Sequence, residues 1–163
     1  MKMKTLALFL CMVSLPVALS GQEKADTLSK AKFNNSLGVA AGFTTGYGLS
    51  YRYWPRKFGI QITFAPYENK YEAHYSFGLA FLVKVINTEK ANFFLYEGNH
   101  FLFNKEKYEY NPTHNTAIYN GIGIGIEFIM LKYISFNLMG GYAGFENFDR
   151  VGFTGETGLY FRF

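Results

Sequence analysis

Few side chains in this chain are suited to chemistry. His114-Asn115-Thr116 sets an imidazole two residues from a hydroxyl, and Glu127 follows on the same stretch. An imidazole that takes the hydroxyl proton, oriented in turn by a carboxylate, is the arrangement of a hydroxyl nucleophile. Spacing tells against it here. In an extended strand Glu127 lies about eleven rises of ~3.3 Å beyond Thr116, out of reach of His114. His74, His100 and His114 are far apart in the sequence, and none stands at a metal-ligand spacing such as H-E-x-x-H, so no metal site is expected. Gly121-Ile-Gly123-Ile-Gly125 is not the G-x-G-x-x-G of a nucleotide loop. Its glycines fall on every second residue, the period of a strand face, and predict a smooth stripe that leaves room for Arg or Tyr from across a lumen. The lone cysteine, Cys11, sits in the N-terminal apolar run, so no thiol chemistry or disulfide is expected. These observations predict no cofactor and no enzyme.

The elements that hold these residues are strands. Between Ser36 and Phe163 apolar and small or polar residues alternate. Leu37, Val39, Ala41 and Phe43 oppose Ser36, Gly38, Ala40 and Gly42; Phe58, Ile60, Ile62 and Phe64 oppose Gly59, Gln61, Thr63 and Ala65. The same period predicts strands at about 47–53, 73–85, 91–103, 118–128, 134–142 and 151–163, eight in all. In the fifth, the least regular, Phe94 and Tyr96 are expected to face out and Glu97 and Asn99 in, with a bulge near Gly98. Short turns at Pro55, Asn87 and Leu131 alternate with longer loops at 66–72, 104–115 and 145–150; only the tight turn at Thr44-Thr45-Gly46 departs from that order. An even strand count puts both termini at one end, and the alternation of short turns with long loops fits a membrane barrel.

Composition narrows the class. The chain of 163 residues is 20% aromatic and 17% charged, against roughly 25% charged in an average globular domain. Its formal charge of +4 falls to +2 without Lys2 and Lys4, too little and too scattered for nucleic acid. Beyond the N-terminus no apolar run approaches the ~20 residues of a spanning helix. Met1–Ser20 reads as a secretory signal peptide: Lys2 and Lys4, an apolar stretch from Thr5 to Leu15, then Ala18-Leu19-Ser20 before a cleavage expected ahead of Gly21. Residues 21–34 form a polar lead-in on the periplasmic side, and 35–163 the barrel. The expected fold is therefore all-β, a transmembrane antiparallel up-and-down barrel of eight strands.

The faces are assigned by their polar content. A soluble barrel would need many charges outside, but the non-apolar strand positions are mostly Gly, Ala, Ser, Thr and Asn. The few charges are Arg52, Lys84 and Arg162 against Glu97, Glu127 and Glu156. On a lipid face, Arg or Lys would cost roughly 2–4 kcal/mol each at mid-membrane. They are therefore assigned to a lumenal polar network, in which Arg52 or Arg162 bonds Glu127 or Glu156. Eight strands leave an interior that side chains can fill, so a plugged lumen is expected. Tyr47, Tyr53, Trp54, Tyr67, Tyr75, Tyr133 and Tyr142, near strand ends, are expected to form interfacial girdles.

The last residues, Gly158-Leu-Tyr-Phe161-Arg-Phe163, resemble the C-terminal signal by which the assembly machinery recognises Gram-negative outer-membrane β-barrels. The resemblance is architectural. It implies the cell outer membrane as location, membrane lipid and lipopolysaccharide as surroundings, and the barrel-assembly machinery as a partner during insertion through Gly158, Phe161 and Phe163. It leaves open a structural, adhesion or partner-binding role. His114-x-Thr116 with Glu127 is also similar to the His-x-Ser pair and Glu of the outer-membrane lipid A deacylases, with Thr in place of Ser. That similarity implies, as the alternative, a lipid-modifying enzyme with His114, Thr116 and Glu127 as its catalytic candidates. A narrow pore is the remaining alternative.

Overall fold

The computed structural model of the chain describes residues 33–106 and 114–163. The expected signal peptide and all but the last two residues of the expected lead-in lie outside the described residues, as do residues 107–113 of the longest loop. Eight antiparallel strands follow one another around a closed barrel: β1 (Asn35–Gly42), β2 (Gly48–Tyr53), β3 (Phe58–Glu68), β4 (Glu72–Asn87), β5 (Ala91–Glu106), β6 (His114–Leu131), β7 (Ile134–Phe145) and β8 (Arg150–Arg162). β8 closes onto β1 from Ser36↔Arg162 to Gly42↔Glu156. Beyond that ladder, Asn35 and Phe163 exchange backbone hydrogen bonds of 3.1 and 2.9 Å, which brings both ends of the barrel chain to one rim.

Alternation sets the two faces. Leu37, Val39, Leu49, Ile62, Ile124 and Phe153 are exposed on the outer wall, Phe153 to 77%, while Ser36, Ser50, Arg52, Gln61 and Thr63 are buried inside. Such a wall in water would be far larger than the apolar patches soluble proteins tolerate. In hydrocarbon it is the expected surface, and a closed barrel is the sheet that leaves no unpaired backbone edge there. No helix among the described residues is long and apolar enough to span a membrane; strands do the crossing.

The strands differ greatly in length. β1 and β2 have 8 and 6 residues, whereas β5 and β6 have 16 and 18. β5 and β6 therefore run well into what the sequence predicts as the loop 104–115. The first hairpin stops short, and its connecting residues fold inward instead of projecting outward. β3 also outruns β2. Pro66, expected in a loop, lies in β3 opposite Tyr75 of β4, above the last pair with β2, Leu49↔Phe64. A proline that cannot donate is tolerated there because no β2 residue needs its N–H.

Several expected placements are corrected. The register of β5 runs unbroken through Gly98, opposite Ala80 and Gly121; the irregularities fall between Lys84 and Ile86 on β4 and between Ile129 and Leu131 on β6, next to turns. Phe94 and Tyr96 point into the lumen, 1% and 3% exposed. Their register partners are Gly125 and Gly123, and a Cβ at either glycine would sit 2.4 Å from the Phe94 ring or 2.7 Å from the Tyr96 ring. Gly123 and Gly125 thus make room for aromatics of the neighbouring strand, while Gly121 makes room for Thr44 of the β1–β2 connection, whose Cγ2 would lie 2.7 Å from a Cβ there. With Phe94 and Tyr96 inward, Glu97 and Asn99 are on the outer wall. Trp54, expected in a girdle, is buried inside with Leu82, Phe94 and Met139.

Candidate functional site

The interior holds two polar clusters separated by aromatic packing. The lower one, toward the rim where Asn35 and Phe163 meet, centres on Arg52 of β2, whose side chain is fully buried. Its Nη2 and Nε donate to Gln61 Oε1 at 2.6 and 3.1 Å, and its guanidinium lies 4.4 Å from the Tyr160 ring centre and 5.5 Å from that of Phe94. Nη1 stands 3.5 Å from Glu127 Oε1. That nitrogen has no aligned acceptor, so the pair is held by charge attraction, not by a directed hydrogen bond. Glu127 in turn accepts from Asn92 Nδ2 (2.8 Å) and Ser135 Oγ (2.9 Å). Burial of the two ions is offset by their attraction and by these donors, the condition under which a buried pair is tolerated. Ser50, Thr63 and Tyr160 extend the cluster through hydroxyl contacts of 3.0 Å.

The upper cluster is organised by Glu156 of β8. Residues Thr44 and Thr45, in the turn between β1 and β2, drop into the barrel, and both are buried. Their backbone N–H groups donate to the two Glu156 oxygens at 3.3 and 3.1 Å, and both hydroxyls make close contacts with the same carboxylate. Tyr96 OH (3.4 Å) and Thr154 Oγ1 (3.3 Å) add further donors. Successive backbone N–H groups converging on one anion form the concavity known from anion-binding turns; here the anion belongs to the protein itself.

The inward turn rests on lumenal glycines. A Cβ at Gly78 would lie 1.9 Å from the Thr45 carbonyl oxygen, and one at Gly98 would lie 2.7 Å from that of Thr44. Gly46 takes a φ of +78°, which an L side chain rarely adopts, so the reversal inside the lumen depends on glycine. His100 locks the turn from the β5 side: one ring nitrogen meets the Phe43 carbonyl and the other the Ser76 hydroxyl, each at 2.8 Å. Above it lies an open hollow of about 920 Å³ whose lining includes Phe43, Tyr47, His100, Tyr119 and Phe145. Neither the anchored turn nor the role of His100 was read from the sequence. The available signal was the register row that places Gly98 beside Gly121, two small residues that leave a space needing an occupant.

Of the six charges assigned to the lumen, Arg52, Glu127 and Glu156 lie inside. Lys84 and Arg162 are half-buried near the terminal rim, Lys84 4.3 Å from the Trp54 ring centre and Arg162 5.6 Å from that of Phe33. Glu97 is a correction: it faces outward, because the aromatics at 94 and 96 take the inward parity. The catalytic candidates are not brought together. Thr116 is exposed near the loop end of β6, on the outward parity, while Glu127 lies inside near the other end of the same strand. His114 is paired with Lys105 through its backbone; its side chain lies outside the described residues. No group of three metal-binding side chains occurs among the described residues. Gly158 and Phe161 lie in β8, and Phe163 ends the chain beside Asn35, with Phe161 and Phe163 exposed on the outer wall.

Fold and outer wall together define a small eight-stranded outer-membrane β-barrel. Among solved structures, the chain is similar to the N-terminal β-barrel domain of Pseudomonas aeruginosa OprF (12% identity, TM-score 0.56), covering 79% of this chain and 95% of that one. It is also similar to Neisserial surface protein A (13% identity, TM-score 0.50), over 79% of this chain and 94% of the other. At such identities the likeness is one of fold. No protein-family model matches the chain, and the comparison with curated proteins found no match.

Proposed function

We propose that this protein is a non-enzymatic, non-conducting barrel that serves the outer membrane through its surfaces, as a structural or partner-binding element. The observation that carries this reading is the double filling of the lumen: the turn at Thr44 and Thr45 held by Glu156, and below it Arg52 with Glu127 amid Trp54, Phe94 and Tyr160. An eight-stranded interior is only as wide as its side chains, and two such layers leave no continuous aqueous path. Partner contacts then fall to the loop end, where Phe43, Tyr47, Tyr67, Tyr71 and Phe148 are exposed. Membrane lipid and lipopolysaccharide surround the wall, and the assembly machinery engages the C-terminal Gly158, Phe161 and Phe163. Purified barrel in planar bilayers should give no steady conductance, and lipid A mass spectra should be the same with and without the gene. Stable unitary currents would return the pore reading; a missing acyl chain in lipid A that depends on the gene would return the deacylase reading.

A further inference from the structure

Glu97 and Asn99 on β5 and Asn120 on β6 form a chain of polar side chains of outward parity, Glu97 and Asn120 half-buried and Asn99 6% exposed between them. Asn99 faces Asn120 in register, and Glu97 is flanked by Phe81 and Ile122. Asn120 Nδ2 donates to Asn99 Oδ1, and Asn99 Nδ2 donates to Glu97 Oε1 at 2.6 Å. Along β5 the outward residues run Phe93, Leu95, Glu97, Asn99, Phe101, Phe103, so two apolar residues flank the polar pair on each side. At ~3.3 Å per residue and a tilt of ~45°, Phe93 to Phe103 spans about 23 Å of height, close to the ~25 Å apolar band of such barrels. The cluster therefore sits near mid-membrane.

Hydrocarbon offers these groups nothing. The internal chain uses one N–H of each asparagine, one asparagine oxygen and one Glu97 oxygen; the second N–H of Asn99 and of Asn120, the Asn120 oxygen and the second Glu97 oxygen have no hydrogen-bond partner among the described residues. A polar group left so in lipid is costly, and ionisable residues at this depth mark functional contacts. The Thr157 hydroxyl, also on the wall, is satisfied instead within the barrel: it donates to the Asn137 carbonyl at 3.1 Å.

We infer that the β5–β6 wall is the interface of a homodimer, with a second copy of this chain as the occupant. The spare groups are their own complement. A primary amide carries donor and acceptor side by side, so Asn120 pairs with Asn120 of a second copy, and the remaining N–H groups and oxygens of the two clusters face one another. A two-fold axis along the membrane normal keeps every residue at its own height, so the same patch meets itself, as an isologous interface requires. The ring of exposed Phe81, Leu95, Ile122 and Ile124 supplies apolar contact around the polar centre. The inference does not rest on the function proposed above.

Cys11 is the chain's only cysteine, so a reporter thiol is easily placed. Ile122→Cys in a Cys11→Ser background, oxidised in native outer membranes, should give a disulfide-linked dimer. Leu159→Cys, on the β8 wall, should give none. Adding Glu97→Leu, Asn99→Leu and Asn120→Leu to the Ile122→Cys chain should abolish the dimer band while the barrel keeps its heat-dependent gel shift. Should the triple variant fail to fold, Asn120→Leu alone carries the same expectation of a several-fold loss. No dimer, equal dimer from both walls, a dimer that survives the leucine substitutions, or a crosslink to a different protein would each overturn the inference.

Discussion

Glu127→Ala removes the partner of a buried arginine and shows how much the lower cluster holds. At 3.5 Å, the Arg52–Glu127 attraction is about 5 kcal/mol at an effective dielectric near 20. Desolvation of Arg52 is unchanged by the substitution, so most of that attraction is lost without return. Asn92 Nδ2 and Ser135 Oγ also lose their acceptor, at about 1–3 kcal/mol for a stranded buried donor. Three interactions sharing one carboxylate do not add. Arg52 also keeps Gln61 and the Tyr160 face, so the expected net loss is about 3–5 kcal/mol. The control is Glu146→Ala. Its partner Arg150 is 2.5 Å away, but the two side chains are 50% and 71% exposed, and screening limits such pairs to about 0–1 kcal/mol. Urea unfolding of the barrel in lipid vesicles reads both variants. The single tryptophan, Trp54, is buried in the lumen, so its fluorescence reports loss of the interior directly. Equal midpoints for Glu127→Ala and Glu146→Ala would refute the account, since they would mean that Arg52 finds water where Glu127 was.

Two further substitutions test the glycine packing. Gly125→Ala should lower the unfolding midpoint, because a Cβ there meets the Phe94 ring at 2.4 Å, whereas Gly155→Ala, with nothing within 4 Å, should leave it within about 0.5 kcal/mol of the parent. Phe163→Ala should reduce the folded, heat-modifiable fraction in outer membranes more than Phe153→Ala does, although Phe153 is the more exposed of the two at 77% against 52%; equal assembly would remove the C-terminal signal from the account.

Strand count, barrel closure and most of the inward and outward assignments were legible because period-two alternation is a local signal. β1, β2, β3 and β7 could each be read from their own residues. β5 could not. Its two parities both carry polar and aromatic residues, so its own pattern does not choose a face. What chooses is the adjacent glycine stripe of β6, which leaves a lumenal gap that only bulk from β5 fills, and that is a statement about register. The assumption that aromatics face lipid and charges face the lumen then failed together at Phe94, Tyr96 and Glu97, because a parity error moves every residue of a strand at once. Trp54 misled for a related reason. It follows a strand end, as girdle residues do, but the space beside Gly59 admits it, and a Cβ at that glycine would lie 2.4 Å from its ring.

The inward turn follows from lengths as much as from residue types. β1 ends at Gly42 and β2 begins at Gly48, well below the top of the long β5–β6 hairpin, so their connection emerges beside an unfilled upper lumen. Thr44 and Thr45 satisfy the carboxylate of Glu156 with no cation beside it among the described residues, and Glu156 satisfies their backbone N–H groups in return. The two halves of that exchange respond differently to substitution. In Glu156→Gln one carboxylate oxygen becomes an N–H₂. The threonine hydroxyls can reverse and accept from it, but a backbone N–H cannot, so one amide loses its acceptor at about 1–3 kcal/mol. In Glu156→Ala both amides lose it, and the hydrogen bonds left to the connection are His100 at the Phe43 carbonyl and the Tyr47 N–H at the Ser76 hydroxyl. Hydrogen exchange at the Thr44 and Thr45 amides measures this directly. Protection should be strong in the parent, weaker at one of the two amides in Glu156→Gln, and largely lost at both in Glu156→Ala, while exchange at Leu95 and Ile124, in the β5–β6 ladder, stays unchanged. Undiminished protection of Thr44 and Thr45 in Glu156→Ala would mean that packing against Gly78 and Gly98, not the carboxylate, holds the turn inside.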